Sequence, residues 1–518
     1  MSRPPKLQQV SLALASAVLL IASFPNVNQP WCAWIALVPW LVLLRRNPHP
    51  FRWSWLTGFL FFLGSMWWLV HVTIIAWVIL CASLAVYFGI FAWIARRALI
   101  VQRASVLKPL VLAALWVVLE YLRSHLLSGL GWNLLAYSQT SWRLLIQCAD
   151  LTGAWGVSFL IVLVNTAIAT WLTAETPRKG RMTAVRIAAA AMLAAISYGA
   201  WRLPQVAPRQ TVRVAVVQGN IPQEEKWDEG NREWILERYE SLTNEASKDH
   251  PQLIVWPETS VPGFLGLEEP MSSELLKFAG GLKAPLLVGA PRSTFNGTAW
   301  RTTNAAMLLE QGGIRRWYDK LHLVPFGEFI PLERQLPWLR RVLPPIGDFA
   351  PGHDETVFSI NRSRFEVQGS RATLEPSALN LELKFSVLIC FEDVFPDLAR
   401  RFVRRGAQAL IVITNDAWFG PTAAAYQHAQ ASIFRAVELR VPVVRAANTG
   451  WSGCMTPSGW WLGSVQDESG AELFVEGHHT CELPLGPAES VYLRWGDWFA
   501  TGCLLLLFAW GGLIRKHT

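Results

Sequence analysis

The chain has 518 residues, 52% of them hydrophobic and 16% charged, with a mean hydropathy of +0.27, which excludes an ordinary soluble protein. The formal charge of +8 does not point to nucleic acid, because the excess Lys and Arg sit in short loops between apolar segments and no basic stripe interleaves with aromatics.

Eight apolar segments are predicted to span a bilayer, over about 8–24, 31–44, 53–70, 72–95, 107–122, 155–173, 185–202 and 498–514. Arg3 and Lys6 precede the first, but its end, Ser23-Phe24-Pro25-Asn26, lacks a small-x-small cleavage site, so it reads as an uncleaved helix. With the N-terminus inside, the inner loops and ends collect Arg45, Arg46, Arg96, Arg97, Arg103, Lys108, Arg178, Lys179, Arg181, Arg515 and Lys516, while the outer loops hold Arg123 and Arg143. The positive-inside rule then places the block before the last span outside the membrane, which in a bacterium is the periplasmic side of the inner membrane. Trp67, Trp68, Trp201, Trp495 and Trp498 fall at span ends, where indole rings favour the headgroup zone.

Between about 211 and 487 the polarity is that of a soluble domain. Strand-like runs cover 212–218, 253–256, 285–290, 304–309, 385–390, 409–414 and 441–446, and helix-like runs cover 231–247, 272–280, 395–406 and 424–439. Strands alternating with helices predict a layered α/β domain. The expected division is a seven-helix membrane domain over 1–204, a catalytic domain over 205–490, and an eighth span with a cytoplasmic tail over 491–518. The Pro- and Gly-rich stretch 332–351 reads as a long lid-like loop, and 261–270 as a second lipid-facing one.

Three residues stand at or near the ends of strand-like runs: Glu258 after Trp256-Pro257, Lys320 after Tyr318-Asp319, and Cys390 after Val387-Leu388-Ile389. Acyl transfer through a thiol needs a nucleophilic sulfur, a base to take its proton and a cation where the oxyanion develops, and these three supply one of each. Taken singly each has a plainer reading, as a small core cysteine, a turn-capping carboxylate and a solvated amine. The seven cysteines show no metal-binding spacing, so neither metal nor cofactor is expected.

Taken in order, Trp256-Pro257-Glu258-Thr259, Asp319-Lys320, Cys390-Phe391-Glu392 and Asn415-Asp416-Ala417-Trp418-Phe419 resemble the nitrilase superfamily of carbon-nitrogen hydrolases. With the apolar segments around it, the whole chain resembles the membrane-bound branch of that superfamily, the bacterial apolipoprotein N-acyltransferases. The resemblance implies an α-β-β-α sandwich for the soluble block and a ping-pong reaction. Glu258 would be the general base, Cys390 the nucleophile that carries the acyl group as a thioester, and Lys320 the stabiliser of the oxyanion. The donor would be a phospholipid such as phosphatidylethanolamine, attacked at its sn-1 ester, and the acceptor the α-amino group of an S-diacylglyceryl-cysteine apolipoprotein. Glu328 and Glu392 would support the triad, with Glu392 equally open to reading as a strand-end carboxylate that bonds backbone. Trp227, Phe326, Phe391 and Trp418 would shape the lipid access or lie in the core, and Phe391 stands where relatives often carry Tyr. Asn220, Asn304 and Asn415 read as loop-fixing hydrogen bonders. Cys454 and Cys481 lie on the oxidising side, where a disulfide between them is open. The expected assembly is a monomer.

Two other readings compete. A membrane-tethered amidase or nitrilase-type hydrolase would use the same three residues and deliver water to the thioester, but an anchor needs one helix, not eight. A transporter would place ionisable groups in mid-span or show an inverted repeat, whereas here the spans hold few charges in their centres, His71 lies near a span end, and no inverted repeat is visible.

Overall fold

The computed structural model describes residues 5–46, 49–101, 107–173, 176–205, 210–295, 297–331, 333, 335, 337, 338, 340, 347–361 and 382–515. Half of the proposed loop 332–351 lies outside these residues. Two compact units divide the chain: Met1–Val206 with Thr422–Glu438 and Ser490–Thr518, and Ala207–Pro421 with Leu439–Glu489.

The first unit is helical, and each predicted span falls on helix: Lys6–Ala22, Ala33–Ala36 with Val38–Arg46, Pro50–Ser65, Ile74–Val101, Lys108–His125, Ala154–Trp171, Arg178–Arg202 and Trp498–Arg515. Among the described residues three helices are long and apolar enough to cross a membrane, Ile74–Arg96, Ala154–Trp171 and Arg178–Gln205, so eight spans are an expectation that length and composition support for three. The second predicted span is broken at Leu37. Pro39 lacks the N–H that would continue the helix, and the Leu37 N–H donates instead to Asn165 Oδ1 at 2.9 Å. Arg123, expected in an outer loop, lies in the last turn of its helix and is buried, donating to the Trp132 carbonyl at 2.8 Å.

The polarity of this unit is inverted relative to a water-soluble bundle. Val18, Ile75, Ile79, Leu193, Leu505 and Phe508 are 59–69% exposed, whereas Ser16, Ser54, Gln139 and Asn165 are buried. The buried groups bond between helices: Ser16 Oγ accepts from the Trp40 main chain, Ser54 Oγ from the Trp40 indole, and Gln139 Oε1 from the Trp34 indole. Apolar outside and hydrogen-bonded inside is the arrangement that lipid as solvent selects. The unit also takes in most of the helix Ala424–Leu439, which sequence alone assigns to the catalytic domain. Its Gln427 uses the whole amide there, accepting from the indoles of Trp68 and Trp132 and donating to the carbonyls of Pro25 and Ser65.

The second unit holds two six-stranded sheets. With β1 Gln210–Gln218, β2 Leu253–Val255, β3 Leu286–Phe295, β4 Trp300–Glu310, β5 Gly313–Asp319 and β12 Gly477–Leu485, the first runs in the order β12-β1-β2-β3-β4-β5. The second runs β11-β10-β9-β8-β7-β6, from β6 Phe358–Asn361, β7 Glu382–Ile389, β8 Ala409–Thr414, β9 Val443–Ala447, β10 Gly453–Met455 and β11 Trp461–Ser464. β1, β2 and β3 are parallel, as are β7, β8 and β9, and the flanking strands are antiparallel. Parallel strands covered on both faces need continuous apolar sequence, and β8, Ala-Leu-Ile-Val-Ile-Thr, is buried at every residue.

Helices Arg232–Ser247 and Met271–Gly281 cover the first sheet, closing a core of Ile235, Tyr239, Leu275, Trp256, Val288 and Met307, and helix Pro396–Arg404 covers the second. The layers are therefore α-β-β-α. Asn448, after β9, joins the sheets: its side chain accepts from the Ile221 N–H and donates to the Ile221 carbonyl. Cys454 on β10 and Cys481 on β12 form a disulfide, one cysteine from each sheet.

Candidate active site

In open parallel sheets the functional groups collect beyond the carboxyl ends of the strands. Glu258 follows β2, Cys390 follows β7, and Asn415 follows β8. Three residues in these turns and loops hold positive φ without being glycine, Thr259 at 48°, Phe326 at 64° and Cys390 at 54°. Backbone in this region costs on the order of 1–3 kcal/mol per residue and concentrates where a side chain must be aimed. Beneath Glu258 lies Gly289, where a Cβ would come within 2.4 Å of the Pro257 carbonyl and 2.7 Å of the Glu258 Cα. Only a residue without a side chain lets β3 pass this close to the turn that carries Glu258.

The Glu258 carboxylate is buried and engaged on both oxygens. Oε1 accepts from Asn304 Nδ2 at 2.7 Å and lies 3.5 Å from Lys320 Nζ, and Oε2 accepts from the Asn415 main-chain N–H at 2.9 Å. Lys320 is 1% exposed and pairs with Glu328 at 2.9 Å. Asn304 Nδ2 also donates to Glu328 Oε1 at 3.0 Å, so one amide bridges both carboxylates, and the Val324 N–H completes Glu328. Burial pulls the Lys320 proton affinity down, but the Glu328 and Glu258 carboxylates outweigh it and raise the amine above its ordinary range, which keeps it charged.

Cys390 is half-buried, and its thiol feels both Glu258 and Lys320. Burial and then the Glu258 carboxylate push the thiol well above its ordinary range, against the pull of Lys320. The resting sulfur is therefore a neutral S–H. A thiol held in this state becomes a nucleophile when a neighbouring base removes its proton, and Glu258 is the carboxylate that acts on it most strongly.

Glu392 takes its plainer reading. Fully buried, it accepts from the main-chain N–H groups of Ile389, Leu321 and His322 and from the Tyr318 hydroxyl, at 2.7–3.0 Å. It thereby clamps the turn that carries Cys390 to the segment that follows Lys320. Of the four aromatics, Trp227 and Phe326 are exposed, at 49% and 44%. Phe391 and Trp418 are half-buried, and Phe391 packs edge-on against Phe395 with ring centres 5.1 Å apart.

Several residues emerge that sequence reading passes over or undervalues. Asn304 and Asn415, expected only to fix loops, touch the Glu258 carboxylate directly. Arg445, at the centre of β9 and fully buried, pairs with Asp393 at 3.0 Å and Asp416 at 3.1 Å, tying the Cys390 turn to the Asn415 turn. Lys226, also buried, donates to the Glu258 carbonyl at 3.1 Å. A charged residue inside an apolar strand is the signal that could have drawn attention to Arg445, while nothing in the polar run around Lys226 marks that lysine.

Comparison with known proteins bears on both units. A family model described as the apolipoprotein N-acyltransferase N-terminal domain matches residues 16–167, and one described as carbon-nitrogen hydrolase matches residues 213–472. The apolipoprotein N-acyltransferase of Geobacter metallireducens is 35% identical over 511 residues, covering 95% of this chain and 92% of the relative. That of Chlorobaculum tepidum is 31% identical over 496 residues, covering 88% of this chain and 89% of the relative. Among solved structures, an amidase of the nitrilase superfamily from Nesterenkonia AN1 is similar at 19% identity with a TM-score of 0.37, over 56% of this chain and 95% of that one. The second unit is thus a nitrilase-like α/β domain joined to an apolar helical unit, and the chain belongs to the apolipoprotein N-acyltransferase family, a family of acyltransferase enzymes.

Proposed function

We propose that the enzyme moves a fatty acyl chain from the sn-1 position of a phospholipid, phosphatidylethanolamine being the favoured donor, to the α-amino group of an S-diacylglyceryl-cysteine lipoprotein. The observation that carries this reading is the cluster itself: a base held on both oxygens, a thiol that stays protonated until that base acts, and a charged amine beside both.

In the first half-reaction Glu258 takes the Cys390 proton as sulfur attacks the ester carbonyl. The new S–C bond forms, the ester C–O bond breaks, and Glu258 returns the proton to the departing lysophospholipid oxygen. Lys320, with main-chain N–H groups near Cys390, balances the oxyanion. In the second, the acceptor amine attacks the thioester, Glu258 takes its proton, and the sulfur leaves and regains a proton from Glu258. Glu328 holds Lys320 in place between these steps, and Glu392 holds the loops. Trp227, Phe326, Phe391 and Trp418 shape the lipid access.

The same reading places eight spans in the inner membrane, with 1–204 and 491–518 embedded, 205–490 as the periplasmic catalytic domain, and the enzyme acting as a monomer. The basic residues of the inner loops and the Cys454–Cys481 disulfide support that orientation.

A two-stage chase tests transfer against hydrolysis. Enzyme acylated with phosphatidylethanolamine and freed of donor should pass its chain to a diacylglyceryl-cysteine peptide as an amide. Release of free fatty acid at the same rate with and without the peptide would replace this reading with a hydrolase.

A further inference from the structure

From Pro222 to Gly230 every residue is exposed or half-buried except Lys226, which is 1% exposed. Its neighbour Trp227 is 49% exposed, so adjacent side chains of one short loop turn in different directions. The loop reaches the site at two points. Lys226 Nζ donates to the Glu258 main-chain carbonyl at 3.1 Å, and Gln223 Oε1 accepts from Asn415 Nδ2 at 2.7 Å. Asn415 in turn donates its main-chain N–H to the Glu258 carboxylate. The loop therefore grips the base by its backbone directly and by its carboxylate through Asn415.

An ammonium taken out of water costs several kcal/mol unless an opposite charge compensates it. The charge acting on Lys226 is Glu258, which also faces Lys320, and Lys320 in turn faces Glu328 and Cys390. We propose that Lys226 is a positioning residue for the general base, holding the Glu258 main chain in place from a buried amine. The inference rests on Glu258 serving as base toward Cys390.

Burial brings the Lys226 amine down to about 7, against the Glu258 carboxylate. The hydrogen bond carries the role: a side chain that still donates to the Glu258 carbonyl keeps the carboxylate aimed at Cys390, and one that cannot donate does not.

The test follows acylation of Cys390 by intact mass, with full-length enzyme in detergent and phosphatidylethanolamine as donor, across the acidic and neutral range. Lys226→Gln keeps a donor and loses the charge. It should retain most of the plateau rate. Lys226→Met loses the donor as well, and should acylate ~10-fold slower at saturating donor, with the donor concentration needed for half that rate little changed. Equal plateau rates in the two variants, or a fall of the same size in both, would overturn the proposal. Should Lys226→Met not fold, Lys226→Gln decides alone, and a ~10-fold loss of plateau rate there would overturn it. Failure of the wild type itself to acylate would instead remove the base-and-thioester reading on which the inference stands.

Discussion

The Lys320 amine lies 2.9 Å from Glu328 but 3.5 Å from Glu258, so its main partner is Glu328 and not Glu258. In the proposed mechanism that spacing leaves Glu258 free to accept a proton while the cation stays in place. Glu328→Gln should then let Lys320 close on Glu258 and tie up the proposed base. We expect kcat to fall about 100-fold with KM little changed, measured by steady-state transfer. Wild-type kcat in Glu328→Gln would show that the amine needs no second anchor.

Arg445 neutralises two carboxylates, Asp393 and Asp416, that are 0% and 2% exposed. Arg445→Met strands both, and should destabilise the second unit by about 3–5 kcal/mol. Adding Asp393→Asn should recover part of the loss, because one buried charge is then removed. Denaturant unfolding of the two variants reads this directly, and equal stability of single and double variants would argue against a shared network.

Burial raises the Glu392 carboxyl from 4.5 to about 7, against the hydrogen bonds and the Lys320 charge that favour its ionised form. The folded state therefore holds a proton that the unfolded state releases. Its contribution is fully present below about pH 4.5 and is lost as pH rises through about 7. Relative to Glu392→Gln, the wild type should gain up to roughly 3 kcal/mol as pH falls across this window. A stability difference between the two that does not vary with pH would contradict the assignment.

The Cys454–Cys481 bond joins the two sheets across a sequence separation of 27 residues. Its reduction should lower stability by about 3 kcal/mol through the freedom returned to the unfolded chain. Thermal unfolding with and without reductant should shift in the wild type and not in Cys454→Ser/Cys481→Ser. An unchanged wild-type transition would mean that the sheets need no staple.

Which strands the sequence reveals follows from where they lie. The seven predicted runs correspond to β1, β2, β3, β4, β7, β8 and β9, all interior to their sheets. The ones it passes over include every edge, β5, β6, β11 and β12, together with the three-residue β10. Interior strands are covered on both faces and so carry long apolar runs, whereas edges such as Gly313–Asp319, with Arg315, Arg316 and Trp317 exposed, carry the charges that keep an edge from pairing with another chain. The site divides in the same way. Glu258, Lys320 and Cys390 are legible because each stands beside an apolar run in a recognisable motif. Arg445 and Lys226 are not, because their partners are distant in sequence and only the fold brings them together. In the helical unit the apolar segments were plain, but Gln427, in a helix assigned by sequence to the other domain, shows that periodicity does not say what a helix packs against.

The most direct test of the central claim is the intact mass of the enzyme after incubation with phosphatidylethanolamine and no acceptor, beside Cys390→Ala and a hydroxylamine-treated sample. A single fatty-acyl adduct, absent from the variant and removed by hydroxylamine, is the predicted result. An adduct that persists in Cys390→Ala, or turnover of the phospholipid with no adduct at any time, would contradict a thioester on Cys390.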